Sequence, residues 1–272
     1  MQKLDFKLKK KIWTDLFGMY KSKFHWSWLE FSEHKEYQIW DNIKNIDWKL
    51  SAKTNKIYIK KYEEDKNLKV SLVVDLSINN IEFGWESKKQ ILLDSLFLLW
   101  ESAIWNSDNV QILGLWEKEI IKNYTKNRFH FRKYLEELEN ISFNQNTNLD
   151  NVVSRLIKLN LKNNLIFLFT DSNQLENSSL LKLLSLKNDI IIVNLFHKLE
   201  NELINKNGDL LFTNGKDIYS VFLSKNKIEQ YKKLRKEKLK KFEKQIIKSW
   251  WRYLYLDTSS DVLKEFYKFM AK

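Results

Sequence analysis

Polar residues that could bind a metal ion stand where two apolar stretches end. Asp75, Ser77 and Asn79 occupy alternate positions in SLVVDLSINN, and Asp171 follows the apolar stretch of NNLIFLFTDS. Thr147 lies between them, at the predicted start of a helix in QNTNLDNVV. Carboxylate and hydroxyl oxygens are the ligands that Mg²⁺ and Mn²⁺ prefer. If the fold brings the two strand ends together, these residues predict a divalent-ion site.

Helix capping is the competing interpretation of the same residues. Asp and Ser directly after a strand are ordinary N-cap residues, because their side chains accept hydrogen bonds from the first free N–H groups of a helix. For either segment alone, capping is favoured over metal binding. Two such segments in one fold shift the balance towards an ion.

Other chemistries fit the sequence less well. The chain has no cysteine, and its four histidines are scattered without the spacing of a zinc site. No glycine-rich phosphate loop or dinucleotide fingerprint occurs, even when every Trp is read as Gly. A haloacid-dehalogenase-type phosphatase would need a second acid where Ser77 stands.

The apolar pattern predicts an α/β fold that would position these residues. Continuous apolar strands that alternate with helices indicate a mostly parallel sheet covered on both faces, with ligands at the carboxyl ends of the strands. Strands are predicted in LEFSEHKEY and KIYIKKYEE and at 68–76, 109–117, 163–172, 189–196 and, as the last one, 217–224; helices are predicted at 1–24, 86–106, 129–140, 149–160, in SSLLKLLSLKN and at 225–248.

The positive charge of the chain is concentrated in one segment. The formal net charge is +12, and residues 225–248 hold 11 Lys or Arg against three Glu. An apolar face at helical spacing predicts that this segment packs as a final helix with a solvated basic face. A surface for phosphate backbones or for an acidic protein is the alternative. The residues of the apolar face are Ile228, Tyr231, Leu239, Phe242 and Ile246.

No targeting or membrane segment is evident in the sequence. The start, MQKLDFKLKKKIW, lacks the continuous apolar core of a signal peptide. The apolar stretch ILLDSLFLLWESAIW is too short to span a bilayer and contains Asp94 and Glu101. We therefore expect a soluble, cytoplasmic protein.

Tryptophan and glycine occur in unusual numbers. The chain has 11 Trp, five Gly and no Pro, whereas ordinary glycine usage of about 7% would give about 19. Trp26, Trp28 and Trp40 stand in polar, turn-like settings. We hypothesise that some tryptophans are glycines in the native cell, through a genetic code in which UGA encodes Gly. The sequence leaves the assignment open for four further tryptophans, which are Trp85, Trp105, Trp250 and Trp251.

A run of residues typical of one protein family extends over WLEFSEHKEYQIWDNIKNIDWKLSAKTNKIYIKKYEEDKNLKVSLVVDLS. In this stretch the chain resembles the bacterial domain of unknown function 58 family, a von Willebrand factor A-like group often found beside MoxR-type AAA+ ATPases. The resemblance covers nearly the whole chain. At the positions of Trp26, Trp28 and Trp40 the family has Gly, which supports the recoding hypothesis. At the position of Trp48 the family also has Trp. The matching residues are Glu30, Phe31, Tyr37, Asp41, Asp47, Trp48 and Ala52, with Lys35 and Lys53 in place of Arg.

The resemblance implies a fold, a site and a function. The fold is a von Willebrand factor A-like, doubly wound, mostly parallel sheet at 67–272, with an N-terminal helix and a small β insert at 1–66. The site is a metal-ion-dependent adhesion site for Mg²⁺ or Mn²⁺, formed by Asp75, Ser77, Asn79, Thr147 and Asp171. Asn79 stands where the pattern has Ser, so the ion site is expected to be weakened or lost.

The implied function is that of a non-catalytic, metal-assisted protein-interaction module. Its implied partner is a MoxR-type AAA+ ATPase or another acidic protein, for which it would act as an adaptor or co-chaperone. Many relatives carry membrane-spanning helices ahead of this domain, and this chain begins almost at the domain, so a cytoplasmic form without a membrane partner is expected. Two alternatives remain open: a metal-dependent phosphoester hydrolase and a basic nucleic-acid-binding protein.

Overall fold

The computed structural model describes residues 29–64, 68–76, 82–83, 86–115, 120–140, 149–171, 178–201, 208–213 and 218–271. In chain order the elements are β1 (Leu29–Glu36), a 3-10 helix (Ile43–Asn45), α1 (Trp48–Thr54), β2 (Tyr58–Glu64), β3 (Lys69–Asp75), β4 (Glu82–Phe83), β5 (Glu86–Ser87), α2 (Lys88–Trp105), β6 (Asn109–Leu115), β7 (Ile120–Thr125), α3 (Arg128–Asn140), α4 (Leu149–Lys158), β8 (Asn164–Thr170), α5 (Ser178–Ser185), β9 (Asn188–Phe196), α6 (Lys198–Asn201), β10 (Gly208–Thr213), β11 (Ile218–Leu223), α7 (Lys225–Lys248), β12 (Arg252–Asp257) and α8 (Val262–Ala271).

Six of the strands form a central sheet in the order β12-β9-β8-β3-β6-β7. Every neighbouring pair in it is parallel except β6 and β7, which are antiparallel. Strand β3 is the first strand of the central sheet in chain order, and it has β6 on one side and β8 on the other. The strand order therefore reverses between β3 and β8. Such a switch point opens a crevice at the carboxyl ends of the strands. The predicted α/β fold class, a doubly wound, mostly parallel sheet flanked by helices, is confirmed.

Both faces of the sheet are covered, because alternate side chains of each buried strand point to opposite sides. Leu72 and Val74 of β3 belong to a core cluster shared with α2, α3 and α8, whereas Val73 belongs to a second cluster shared with α4, α5 and α7. Full burial of one such side chain stabilises the fold by roughly 1.5–3 kcal/mol. The strands therefore read as continuous apolar runs, and their polar residues collect at the two ends.

Two predictions about the end of the chain are wrong. The strand predicted at 217–224 exists as β11, but it pairs with β10 in a separate two-stranded sheet and is not the last strand. The sixth strand of the central sheet is β12, and α8 follows it, so the helix at 225–248 is not the final one. Among the described strands, β12 pairs with β9 alone, and it is half-buried at alternate positions. Its RYLYLD sequence lacks the continuous apolar run by which the central strands were recognised.

The basic helix α7 packs as its apolar pattern predicts. Ile228, Phe242 and Ile246 are buried, and Tyr231 and Leu239 are partly buried. The opposite side carries a row of exposed lysines spaced three or four residues apart, which consists of Lys233, Lys236, Lys240, Lys244 and Lys248. Residues at this spacing share one side of a helix. The lysine row, as we call these five residues, is therefore a continuous cationic stripe on the surface.

The N-terminal unit at 29–64 is an antiparallel pair of strands, β1 and β2, with α1 and the 3-10 helix between them in sequence. Asp47 caps α1 by accepting hydrogen bonds from the N–H groups of Lys49 and Leu50, and His34 Nε2 lies 3.0 Å from Asp47 Oδ2. The hydrogen bond from Leu50, followed by that from His34, lowers the pKa of Asp47 to about 2. The predicted domain boundary after residue 66 stays a prediction, and the predicted helix at 1–24 lies outside the described residues.

No helix in the described ranges combines the length and the apolar character that crossing a membrane requires.

Candidate functional site

The candidate site lies at the carboxyl ends of β3 and β8, on either side of the switch point. Asp75 is the last residue of β3 and Thr170 is the last residue of β8. Both side chains are fully buried, and Thr170 Oγ1 donates a hydrogen bond of 2.7 Å to Asp75 Oδ2. A buried carboxylate is costly unless it is hydrogen-bonded, so this contact holds the Asp75 side chain in place across the crevice.

Asp171 continues from β8 and lies at the same rim of the sheet. Its side chain is 15% exposed, and Oδ2 lies 3.0 Å from the ammonium nitrogen of Lys88. Lys88 is the first residue of α2, which begins there because Ser87 caps it by accepting from the N–H groups of Lys89 and Gln90. The Lys88 side chain is only 2% exposed. Side chains in a first helical turn point towards the N-terminus of the helix, and here that direction leads to the rim.

A second carboxylate, from Glu200 of α6, also binds Lys88. Glu200 Oε1 lies 2.7 Å from Lys88 Nζ, and Glu200 Oε2 accepts from Arg235 of α7 at 3.1 Å. The hydroxyl of Tyr231, also on α7, donates to the Glu200 backbone carbonyl at 2.7 Å. The four charged side chains Asp171, Lys88, Glu200 and Arg235 form what we call the rim network. It links the carboxyl end of β8 to the basic helix.

The charge of Lys88 is maintained by its two partners. Burial by itself pulls the pKa of Lys88 down, because a low-dielectric surrounding disfavours the ammonium. The adjacent carboxylates of Asp171 and Glu200 outweigh that effect and raise the pKa above its ordinary value. Lys88 is therefore a buried ammonium, held in its charged form by two carboxylates, beside one of the predicted ion ligands.

The structure brings together only part of the predicted ion site. Asp75 and Asp171 lie at the ends of neighbouring strands, as predicted, whereas Ser77, Asn79 and Thr147 lie outside the described residues. Within the described part of the chain, no group of three or more His, Cys, Asp or Glu side chains is arranged to hold a metal ion. The donor chemistry of the two carboxylates and Thr170 fits a hard divalent ion. The ammonium of Lys88 opposes one, because it already neutralises Asp171.

No pattern in the sequence predicts the residues that complete the rim. Lys88 stands in SKKQ, where it looks like a surface lysine at a helix start, and Glu200 and Arg235 lie in ordinary charged segments. The one available signal was Ser87, a good N-cap just before Lys88. Burial of the lysine follows from packing between distant elements, which spacing along the chain does not reveal.

Comparison with known proteins gives one matching family and several similar solved structures. Residues 33–238 match the family described as "Protein of unknown function DUF58", and no curated protein matches the sequence. Two similar solved structures are an aerotolerance-related membrane protein from Bacteroides fragilis NCTC 9343 with multiple mutations to serines (TM-score 0.44, 12% identity) and the conserved hypothetical protein BatB from Bacteroides thetaiotaomicron (0.43, 12%). Each is similar over 75% of this chain, and the alignments cover 99% and 98% of those chains.

The VWA domain of SpRpn10 is a third similar structure, with a TM-score of 0.41 and 11% identity over 74% of this chain and 93% of that domain.

Proposed function

The chain belongs to the DUF58 family, and from that premise and the geometry of the rim we propose that it is a non-catalytic, metal-assisted protein-interaction module. Its partner would be a MoxR-type AAA+ ATPase or another acidic protein in the cytoplasm, which it would serve as an adaptor or co-chaperone. The observation that carries the proposal is the fully buried Asp75 carboxylate at the switch point, which accepts from Thr170 at the end of the neighbouring strand, just before Asp171.

The arrangement of these carboxylates supports holding a ligand over exchanging protons. Asp75 accepts from Thr170, and Asp171 is paired with Lys88, so both side chains are fixed as acceptors. We propose that Asp75 and Asp171 orient water molecules around a divalent ion, and that Ser77 and Thr147 contact the ion directly. A bound ion supplies an open coordination position that a carboxylate of the partner can fill.

The lysine row of α7 supports an acidic partner. Like charges three or four residues apart on a helix cost about 0.2–0.5 kcal/mol per pair, so five such lysines are destabilising for the helix on its own. A cationic stripe attracts an acidic surface and speeds its association. Through Arg235 and Glu200, the same helix is connected to the rim. The ion and the lysine row would then bind one partner at two places.

Capture of a purified MoxR-type ATPase in Mg²⁺ buffer tests this proposal. We expect Asp75→Asn, which keeps the shape of the side chain, to lower the affinity at least tenfold, and chelator to have the same effect on the wild-type chain. Asp94→Asn is the matched control, because it removes an equal charge from an exposed position of α2. Unchanged capture by Asp75→Asn, at a melting temperature close to that of the wild type, would show that the ion bridge is wrong.

Nucleic-acid binding is a second candidate, and the exposed lysine row is the observation in its favour. Each phosphate contact releases counterions, so the affinity should fall steeply with salt. Simultaneous replacement of Lys236, Lys240 and Lys244 by Gln should then reduce both the affinity for single- or double-stranded oligonucleotides and its salt slope. Binding that is absent, or indifferent to salt, removes this candidate.

A further inference from the structure

Lys88 occupies an unusual place for a lysine, since it is buried at the rim where an ion is proposed to bind. We propose that Lys88 is a resident cation of this rim, which competes with a divalent ion for Asp171 and couples ion binding there to helix α7. The inference rests on the proposed ion site and adds a regulation of that site.

The charges of the rim network are already balanced. Its two carboxylates, Asp171 and Glu200, face two cations, Lys88 and Arg235. A divalent ion beside Asp171 would therefore add two positive charges next to a buried ammonium that lies 3.0 Å from the same carboxylate. Repulsion between like charges is strong where water is excluded. The ion can bind tightly only if Lys88 Nζ moves away from Asp171.

The position of Glu200 determines where the ammonium goes. Lys88 Nζ already lies 2.7 Å from Glu200 Oε1, so the released ammonium keeps this partner. Glu200 is also the residue that anchors α7, through Arg235 and through Tyr231. Asp171 at the rim and Glu200 at the helix therefore share one ammonium, and a change at one end alters the contacts at the other. Because such coupling is reciprocal, a partner bound to the lysine row would in turn change the affinity for the ion.

Binding of Mn²⁺, measured by electron paramagnetic resonance of the free ion, tests the competition. We expect Lys88→Met to bind Mn²⁺ at least tenfold more tightly than the wild type, and Lys88→Arg to bind no more tightly than the wild type. Lys89→Met is the matched control, because it removes the same charge from the neighbouring residue, whose ammonium donates to the Glu139 carbonyl of α3. The affinity of the control should stay within twofold of that of the wild type.

Hydrogen exchange of the wild-type chain gives a second test that needs no substitution in the buried network. Saturating Mn²⁺ should change amide exchange in α6 and in the part of α7 near Tyr231 and Arg235. No change there would overturn the coupling, whether or not the Lys88 variants fold.

The outcomes separate this inference from the proposed function. If the wild type binds Mn²⁺, Asp75→Asn does not, and Lys88→Met binds only as tightly as the wild type, the competition is wrong and the ion site stands. If Lys88→Met binds and the wild type does not, the competition is right and metal-assisted capture by the wild type is wrong. If neither chain binds Mn²⁺, both are wrong.

A separate observation concerns the end of α7, where two tryptophans follow one another. The N–H of Trp250 donates to Ile247 at 3.0 Å and the N–H of Trp251 donates to Ile246 at 3.2 Å, which together form a Schellman motif. Trp250 has φ of 63°, in the left-handed region. That position of the motif is most often glycine, because a Cβ atom is unfavourable there.

The two indoles have opposite environments. Trp250 is 77% exposed, whereas Trp251 is 2% exposed and its Nε1 donates to the Leu181 carbonyl at 3.0 Å. Together with 11 tryptophans and five glycines in the chain, this geometry leads us to infer that position 250 is glycine in the protein made by its native cell, and that Trp251 is a genuine tryptophan.

Mass spectrometry of the native protein tests the assignment. The tryptic peptide that covers residues 249–252 should carry Gly at 250 and Trp at 251; a tryptophan mass at 250 would overturn the inference. In recombinant chains, Trp250→Gly should raise the melting temperature by about 2–4 °C, because a left-handed non-glycine residue is strained. Trp251→Gly should lower it. A lower melting temperature for Trp250→Gly would also contradict the assignment.

Discussion

The two ends of the central strands carry polar side chains of different kinds. On the face towards α4, α5 and α7, the amino ends of the strands hold neutral groups, among them Ser71, Gln111 and Asn164. The carboxyl ends hold Asp75 and, just beyond β8, the charged Asp171. Burying polar side chains is costly at both ends, and the two ends differ in the groups that these side chains contact.

The amino end is closed within the sheet. Ser71 Oγ donates to Asn164 Oδ1 at 2.9 Å and accepts from Gln111 Nε2 at 2.7 Å, and the Tyr124 hydroxyl also donates to Asn164 Oδ1. These bonds join β3, β6, β7 and β8 to one another. Neutral amides and hydroxyls that satisfy one another in this way fix the alignment of neighbouring strands.

The carboxyl end reaches beyond the sheet. Asp171 contacts Lys88 of α2, and Lys88 contacts Glu200, which binds Arg235 of α7. A metal ion or a carboxylate of another protein can replace one member of an ion pair, whereas it cannot replace a neutral amide in a hydrogen-bond network. We therefore expect a structural role for the amino end and propose a binding role for the carboxyl end, and substitutions at each end test this difference.

The largest expected effect on stability is at the amino end. Asn164→Ala leaves the hydroxyls of Ser71 and Tyr124 without their shared acceptor and removes the bond from Asn164 Nδ2 to the Lys162 carbonyl. We expect the free energy of unfolding to fall by about 3 kcal/mol, as measured by urea denaturation. Partner capture by the folded fraction should be unchanged; loss of capture would contradict a purely structural role.

At the carboxyl end, Asp171→Asn should have a smaller effect on stability. It removes one of the two carboxylates that Lys88 contacts, while Glu200 remains. Breaking a buried ion pair outright costs about 3–5 kcal/mol, so with Glu200 still present we expect a loss of about 2 kcal/mol. Unlike Asn164→Ala, this variant should also lose capture of the partner. A variant that keeps capture would remove Asp171 from the binding end.

Ser71→Ala tests the amino end more gently. It removes one hydroxyl that donates to Asn164 and accepts from Gln111, and Tyr124 still satisfies Asn164. The free energy of unfolding should fall by about 1 kcal/mol, which urea denaturation can resolve. A loss as large as that of Asn164→Ala would mean that the network depends on Ser71 and not on the amide.

Substitution of Glu101 in α2 should have the smallest effect on the free energy of unfolding. Glu101 contrasts with Lys88, which lies at the other end of the same helix. Burial raises the pKa of Glu101 above 4.5, and Arg128 at 3.2 Å only partly offsets this. A raised pKa means that the folded state holds the proton more tightly, so stability falls as the pH rises through the folded pKa. Glu101→Gln lacks this dependence.

Relative to the wild type, Glu101→Gln should therefore gain stability as the pH rises above 4.5, the ordinary pKa of the group. Urea denaturation of both proteins across that range gives the comparison. A constant difference would mean that Arg128 compensates the charge fully, as Asp171 and Glu200 do for Lys88.

The sequence was informative where burial is continuous. The apolar runs of β3, β6, β8 and β9 identified the centre of the sheet, and the switch-point rule placed Asp75 and Asp171 at the same edge. The edge strand β12 and the following α8 were missed, because a half-buried strand lacks a continuous apolar run. Lys88 was missed because a buried lysine is recognised by its partners, and Asp171 and Glu200 are distant from it in the sequence.

The ion site at the carboxyl end is tested most directly by the thermal melt of the wild type, Asp75→Asn and Ser71→Ala, each with chelator and with tens of millimolar Mg²⁺. Asp75 and Ser71 lie on the same face of β3, at opposite ends. An ion at ten times its dissociation constant stabilises by about 1.4 kcal/mol, which for a chain of this size is a rise of about 3–5 °C. The account predicts that rise in the wild type and Ser71→Ala and its absence in Asp75→Asn. No rise in the wild type, or an equal rise in Asp75→Asn, would contradict it.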